Sequence, residues 1–328
     1  MMQDFGLEDL DVFADHIIDT SYRGTLDAIA EVTPGGYHNI LTVDRYEREM
    51  ELHATLTVTK DWLHLDFAGT SGCSSKGINV PLNYATAYSV FAMRCIIGSD
   101  IPTSAGSLQL FVVTGPTDCI LNAQRPTPVV MRHILGKVTP DLVLDACHRP
   151  CLAKCPPKGH LAYMNCPCGA RPHADGLSAT AYPSGVFGSQ VEITEAIAPV
   201  TIWRRELLPD SCGAGQFRGG LGQQIEMTSA IAEPFLVFLS VERVKNAPNG
   251  PASGQPGAAG RIRVTGRDAD IPSKCELWIE PGERLTFDTP GGGGFDKARD
   301  RDTAALERDV ENGLVTPAAA VADYGRQP

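Results

Sequence analysis

The sequence predicts an α+β protein: a mixed first half with amphipathic helices and a hairpin, a β-rich second lobe punctuated by glycine and proline, and short helices at the end. Three observations predict it. Apolar residues recur at spacings of three and four near the start and again after Tyr84, the stripe of an amphipathic helix. They alternate singly from Met50 to Phe67, the period of a half-buried strand. Beyond Gly176, short apolar runs are separated by proline and glycine at regular intervals, the pattern of a sandwich or barrel-like lobe. The expected division is therefore 1–175 and 176–328.

Taken in order, Leu7, Leu10, Phe13 or Ala14, Ile17, Ile18, Leu26, Ile29 and Ala30 predict a helix over 7–32, stopped by Pro34-Gly35-Gly36. Leu52, Ala54, Leu56 and Val58, then Leu63, Leu65 and Phe67, predict a hairpin turning near Lys60-Asp61. Tyr84 to Ile97 reads as a second helix, apolar enough to be buried. A strand over 108–113 follows, then a helix from Asp141 to Cys147, with Thr139 as cap and Pro140 at its first position. In the second lobe, strands are predicted at 200–204, 224–228, 235–241, 261–264, 276–279 and 284–288. Ala305, Leu306, Val310 and Leu314 give one face of a helix after Asp302, and Pro317 opens a last one, Ala318 to Tyr324.

A net charge of −11 over 328 residues argues against nucleic acid or an anionic membrane as the main partner, since both attract basic surfaces. No apolar run reaches membrane-spanning length and the first residues are acidic, so a cytoplasmic location is expected. Cys73, Cys95, Cys119, Cys212 and Cys275 stand singly and read as small buried hydrophobes.

The densest glycine stretch runs from Leu208 to Gln224 around Phe217-Arg218, and a second spans Thr289 to Phe295. Glycine this frequent means positive φ or backbone too closely packed for a Cβ. A P-loop is excluded, because no Gly-Lys-Ser/Thr follows, and no Gly-x-Gly-x-x-Gly opens a helix after a strand. Strand-like flanks argue against a linker, so both blocks are read as tight, irregular turns between strands.

These residues carry a resemblance. Leu65-Asp66-Phe67-Ala68-Gly69-Thr70-Ser71 leads to Ile78-Asn79-Val80-Pro81; Arg94-Cys95 leads to Asp100-Ile101-Pro102. Gly169-Ala170-Arg171-Pro172 with Ala174-Asp175-Gly176, and Asp210-Ser211 with Gly213 to Gly222, come next. Thr289 to Phe295, Arg301-Asp302, Asp309-Val310 and Asp323-Tyr324-Gly325 complete the set. In this order they resemble the B-type subunit of the hydantoinase and oxoprolinase family, which also includes a subunit of ketone carboxylases. The resemblance covers nearly the whole chain but only the later part of the family's subunit; the opening segment with its divalent-metal ligands has no counterpart here. Cys212 departs from the family's usual glycine, and the segment 146–169 is a divergent, cysteine-rich stretch.

The resemblance implies a two-part, ATP-dependent enzyme. An A-type subunit with an actin-like ATPase fold binds ATP and phosphorylates a cyclic amide; the B-type subunit completes the site in which a lactam or hydantoin ring is opened. A hetero-oligomer is thus expected, inactive as this chain alone, with ATP held by the partner. A ketone carboxylase subunit is the alternative, and a non-catalytic remnant a further one.

No Ser-His-Asp or Cys-His arrangement is found, so no catalytic residue is assigned. Substrate-binding candidates are Asp66, Asn79, Arg171, Asp175 and Arg218. Arg218, inside the glycine block, could offer its guanidinium to a phosphate or carboxylate; tying the loop to Asp210 or another acid carries more weight. Asp66 and Asn79 flank a turn-rich segment able to project polar groups into a cleft, or simply cap turns. Arg171 and Asp175 are close enough to pair with each other. Cys147, Cys151, Cys155, Cys166 and Cys168, with His148, His160 and His173, are of the type zinc prefers, but their spacing is not that of common zinc folds and no metal is assigned.

Overall fold

The computed structural model describes residues 10–44, 49–151, 169–179 and 190–326. By internal contacts the chain forms two compact units, residues 1–41 with 51–160, and residues 42–50 with 161–328.

The first unit begins with α1 (Asp11–Ala30), whose second half is covered at Ser21, Thr25 and Ile29 while Val12, Phe13 and Ile17 stay exposed. A strand not foreseen, β1 (Gly35–Val43), precedes β2 (Met50–Val58) and β3 (Leu63–Asp66). The predicted hairpin forms: β2 and β3 pair antiparallel, Leu56 opposite Leu65 and Val58 opposite Leu63. Its turn is pinned by the Thr59 hydroxyl, which accepts from the Asp61 and Trp62 amides. Alternation buries Leu52, Ala54, Leu56, Leu63 and Leu65 completely on one face.

Next come α2 (Leu82–Ile96), the short α3 (Ala105–Leu108) and β4 (Phe111–Thr114), which pairs parallel with β3 to complete a sheet of order β1-β2-β3-β4. The strand expected from residue 108 starts later. The Ser104 hydroxyl accepts from the Gly106 and Ser107 amides and caps a helical turn there instead. Two helices follow, α4 (His133–Gly136) and α5 (Thr139–Cys151). Thr139 is not a cap: it lies inside α5, buried, and its hydroxyl donates back to the Leu135 carbonyl at 3.1 Å.

The second unit holds α6 (Val191–Ile197), which the sequence reading missed, and then the predicted strands, each close to its expected place. They are β5 (Val200–Leu207), β6 (Gln223–Ser229), β7 (Phe235–Ser240), β8 (Arg261–Val264), β9 (Lys274–Ile279) and β10 (Leu285–Asp288). An open four-stranded sheet has order β5-β6-β10-β8, and β7 pairs with β9. Leu239 and Ile279 of the pair meet Ile262, Val264 and Leu285 of the sheet in one core, an open sandwich. Two helices finish the chain. Asp302 caps α7 (Thr303–Glu311) through the Ala305 amide, and Thr316 caps α8 (Pro317–Tyr324) with Pro317 at its first position. No helix among the described residues is long and apolar enough to cross a membrane.

The glycine blocks are not simple turns. Segments 211–222, 249–258 and 289–295 run against one another and exchange backbone hydrogen bonds: Gly213 N–H to Gly292 O, Gly292 N–H to Gly220 O, Gly291 N–H to Ala258 O, Gly294 N–H to Gln255 O and Gln255 N–H to Ala214 O. A Cβ on Gly291 would stand 1.6 Å from the Ser211 carbonyl oxygen, one on Gly219 1.9 Å from that of Gly292, and one on Gly293 2.0 Å from that of Asn249. None of these glycines has a positive φ. Close approach of three backbones, as in collagen, is the reason for the glycines.

Candidate functional site

Four of the family-like motifs meet in the second unit at a buried ion cluster. The Asp175 carboxylate receives a two-pronged bond from Arg301, both contacts 2.8 Å, and its Oδ1 also accepts from the Arg218 amide at 2.9 Å. Arg301 donates from its other face to Asp309 Oδ2 at 2.5 Å, and Arg218 Nε donates to Asp309 Oδ1 at 3.0 Å. Two guanidinium groups thus face two carboxylates, with Arg301 only 2% exposed. Such a neutral, mutually bonded arrangement is how charge survives burial. Burial alone would raise the Asp175 pKa, but the Arg301 hydrogen bonds outweigh it and hold the carboxyl below its usual range.

This geometry decides both expected pairings: Arg218 does tie its loop to an acid, and Arg171 does not pair with the Asp175 carboxylate. Arg218 is tied to Asp309, whereas Asp210 accepts from the Thr316 amide and hydroxyl at the start of α8. Arg171 reaches only the Asp175 backbone carbonyl, at 3.3 Å, because the carboxylate is taken by Arg301. The Tyr324 ring lies beneath Arg301, and Cys212 packs beside it. Burial pushes the Cys212 thiol up to about 11, so it stays protonated at neutral pH.

Asp66 and Asn79, in the first unit, are equally committed. Asp66 Oδ1 accepts from the Ala68 amide and the Thr114 hydroxyl, tying β3 to β4. Asn79 is fully buried; its Oδ1 accepts from the Ser74 amide at 2.7 Å and its Nδ2 donates to the carbonyls of Ser74, Lys76 and Pro128. The candidates therefore separate into a polar knot around the glycine segments and two loop anchors. Cys155, Cys166 and Cys168, with His160, lie outside the described residues. Within the described residues no three His, Cys, Asp or Glu side chains are grouped to hold a metal ion.

A concave surface lies where no candidate was placed. A cleft of about 800 Å³ in the first unit runs along α2 and is closed by the 99–103 loop, Leu108 and Phe111. Its α2 wall repeats every three or four residues: Asn83, Thr86 and Ala87, Val90 and Phe91, Arg94 and Cys95. The helix was expected to be buried, yet Phe91 is 43% exposed on this wall. The Arg94 guanidinium is spent on its own loop, donating to the Thr103 and Ser107 hydroxyls and the Gly98 and Ile101 carbonyls. The sequence signal for the cleft was the recurrence of Asn83, Thr86 and Arg94 on one face of a largely apolar helix.

The hydantoinase B/oxoprolinase family model matches residues 1–298. The chain belongs to this family. It is 30% identical to the caprolactamase subunit beta of Pseudomonas jessenii over 64% of this chain and 42% of that one. With 5-oxoprolinase 1 of Arabidopsis thaliana it shares 29% identity over 75% of this chain and 20% of the plant protein. In fold, the crystal structure of the Pseudomonas jessenii ATP-dependent caprolactamase matches 99% of this chain and 62% of its own at a TM-score of 0.79 and 21% identity. A nucleotide-free acetone carboxylase structure matches 93% of this chain and 51% of its own at 0.75 and 16% identity. The chain spans less than two thirds of the length of each of these relatives.

Proposed function

We propose that this chain forms part of the B-type subunit of an ATP-dependent cyclic-amide hydrolase, opening a lactam or hydantoin ring together with an A-type, actin-like ATPase subunit. The observation that carries the reading is the family match across residues 1–298, coupled with a fold likeness to caprolactamase through 99% of the chain. The chemistry is consistent with a division of labour. A ring amide is resonance-stabilised; phosphorylating its oxygen makes a leaving group, and attack by water then needs fixed donors for the developing oxyanion.

The nucleotide belongs on the partner in this reading. The amides of Gly213, Gly219, Gly222, Gly291, Gly292 and Gly294 all donate within the protein, so these six are already taken and give a phosphate nothing to bind. The divalent metal implied by the family resemblance finds no ligand group in the described residues, and no step is assigned to it.

The test is co-purification with an A-type subunit followed by ATP-dependent ring opening of 5-oxoproline, hydantoin or caprolactam. Turnover is expected from the pair and none from this chain alone; an A-type subunit that neither binds nor turns over any cyclic amide would sink the reading. The likeness to acetone carboxylase supports a second reading, a ketone carboxylase subunit. Bicarbonate-dependent ATP consumption with acetone or acetophenone selects it.

A further inference from the structure

We infer that an exposed basic surface in the first unit, built by Arg132, His133 and Lys137 around α4 with Lys76, Tyr84 and Tyr88 beside it, binds a phosphate group. The inference goes beyond the hydrolase reading and does not depend on it. The sequence concentrates the charge. Although 39 of the 328 residues are Asp or Glu, none lies between Asp118 and Asp141, a stretch that carries Arg125, Arg132 and Lys137. In a chain of net charge −11, such a run sets a local positive field against the overall negative one.

The fold gathers these cations. Arg132 and Lys137 flank α4, and His133 and Lys137 stand one turn apart. All three are exposed, and none forms an ion pair with a carboxylate among the described residues. They share one electrostatic neighbourhood: partial burial lowers the His133 pKa, and the charges of Lys137 and Arg132 lower it further. Like charges held together repel, and an anion placed among them relieves that repulsion.

A further cation is brought in at Asn79. Its Nδ2 donates to the Lys76 carbonyl at 2.8 Å and to that of Pro128 at 2.9 Å, while the Met131 amide donates to the Gly77 carbonyl at 2.7 Å. The exposed Lys76 thus starts from backbone fixed against the segment that leads into Arg132. The aromatic pair adds a flat support and a neutral donor. The Arg132 guanidinium lies 5.5 Å from the centroid of the Tyr84 ring, and Tyr88 stacks on that ring at 4.9 Å. A Cβ on Gly136 would stand 2.2 Å from Tyr84 Cε1, so α4 itself is pressed against the same ring. The Tyr84 hydroxyl donates to the Tyr88 oxygen at 3.3 Å. Burial, and then this bond, push the Tyr88 pKa up to about 12, so Tyr88 keeps its own proton to donate. A guanidinium fork, ammonium groups and a hydroxyl are the donors that phosphate oxygens accept.

Free phosphate and the tail of a nucleotide share this chemistry, and calorimetric titration of the purified chain at low ionic strength with pyrophosphate, ATP and adenosine separates them. Pyrophosphate is expected to bind, ATP to bind within about threefold of it, and adenosine not to bind, because the surface reads phosphate and not base. Raising the salt to about 0.15 M should weaken binding, as for any exposed charge pair. Arg132→Ala and Lys137→Ala should each weaken pyrophosphate by about fivefold, and the double variant should abolish its binding. Both positions are exposed, so the unfolding midpoint should stay where it is. Arg132→Lys, which keeps the charge, should recover part of the lost affinity. Lys60→Ala, at an exposed cation in the β2 to β3 turn, should bind like the parent. No binding of pyrophosphate, binding unchanged in the double variant, or binding of ATP without pyrophosphate would each overturn the proposal. So would capture of a polyglutamate peptide with neither phosphate compound bound, which would give the surface to an acidic protein. No A-type subunit takes part in these titrations, so they decide the phosphate surface whatever becomes of the hydrolase reading.

Discussion

Arg301 shows why a motif can be recognisable without being a site. Its guanidinium bridges Asp175 and Asp309, which lie far from each other in sequence, and a third acid-base contact, Arg218 to Asp309, closes the cluster. Removing the central cation leaves two carboxylates facing each other in a buried place, so Arg301→Ala is expected to cost about 3–5 kcal/mol, read as a fall in the urea midpoint. Arg301→Lys keeps the charge but loses the two-pronged bond to Asp175, and is expected to recover only part of that loss. The pH dependence follows from the same pair. Asp175 has its pKa lowered in the folded chain, so its contribution to stability is present above the ordinary carboxyl value near 3.8 and is lost as pH falls through the lower folded value. Acid unfolding should therefore begin at higher pH in Asp175→Asn than in the parent, and identical acid transitions would count against the coupling. None of these partners could be read from sequence, where Arg218 stood nearest to Asp210 and Arg171 nearest to Asp175; the contacts that form span 43, 91 and 126 residues.

Among the elements, the strands of the second unit were legible because each is a short apolar run closed by proline, glycine or a charged turn, and that chemistry ends a strand wherever it is placed. The failures have equally local causes. β1 carries Asn39 at a position facing inward, where its amide donates to the Leu142 carbonyl, so the apolar alternation is broken and the strand is hidden. Thr139-Pro140 does start a helix, but Thr139 is its first residue and not its cap, because its hydroxyl turns back to the Leu135 carbonyl of the short α4 before it. The glycine blocks were correctly read as backbone demanding no Cβ, but which of two causes applied needed the three segments side by side. That distinction is measurable. Gly291→Ala should destabilise the second unit by about 3 kcal/mol or more, because the new Cβ would overlap the Ser211 carbonyl and neither backbone can withdraw. Gly36→Ala, in β1 with open space around the new methyl, should be neutral or stabilising by about 0.5–1 kcal/mol. Equal effects at the two positions would show that the packing of the segments is looser than described.

For the molecule as a whole, surface matters as much as core. The row that α1 buries at Ser21, Thr25 and Ile29 continues toward its start through Leu10, Ala14 and Ile17, one turn after another, but there it is bare. Phe13 is 54% exposed beside it, and Val12 79%. A helix normally carries such a stripe only where something covers it, and an uncovered patch of this kind drives association in water. The sequence made the stripe visible as periodicity but could not say which half of it is covered, since covering depends on what packs there. The chain spans less than two thirds of the length of these relatives. The expected behaviour is concentration-dependent self-association of the isolated chain, seen by light scattering as a rising mean mass. Replacing Phe13 and Ile17 together by glutamate should suppress it while shifting stability by no more than about 0.5 kcal/mol per site, as for other exposed positions. If the double variant associates as strongly as the parent, the stripe is not the adhesive surface. If association is suppressed but binding to an A-type subunit, the partner proposed above, is also lost, the same helix face is part of that proposed contact, and the two losses should track each other through single substitutions at Leu10, Phe13 and Ile17.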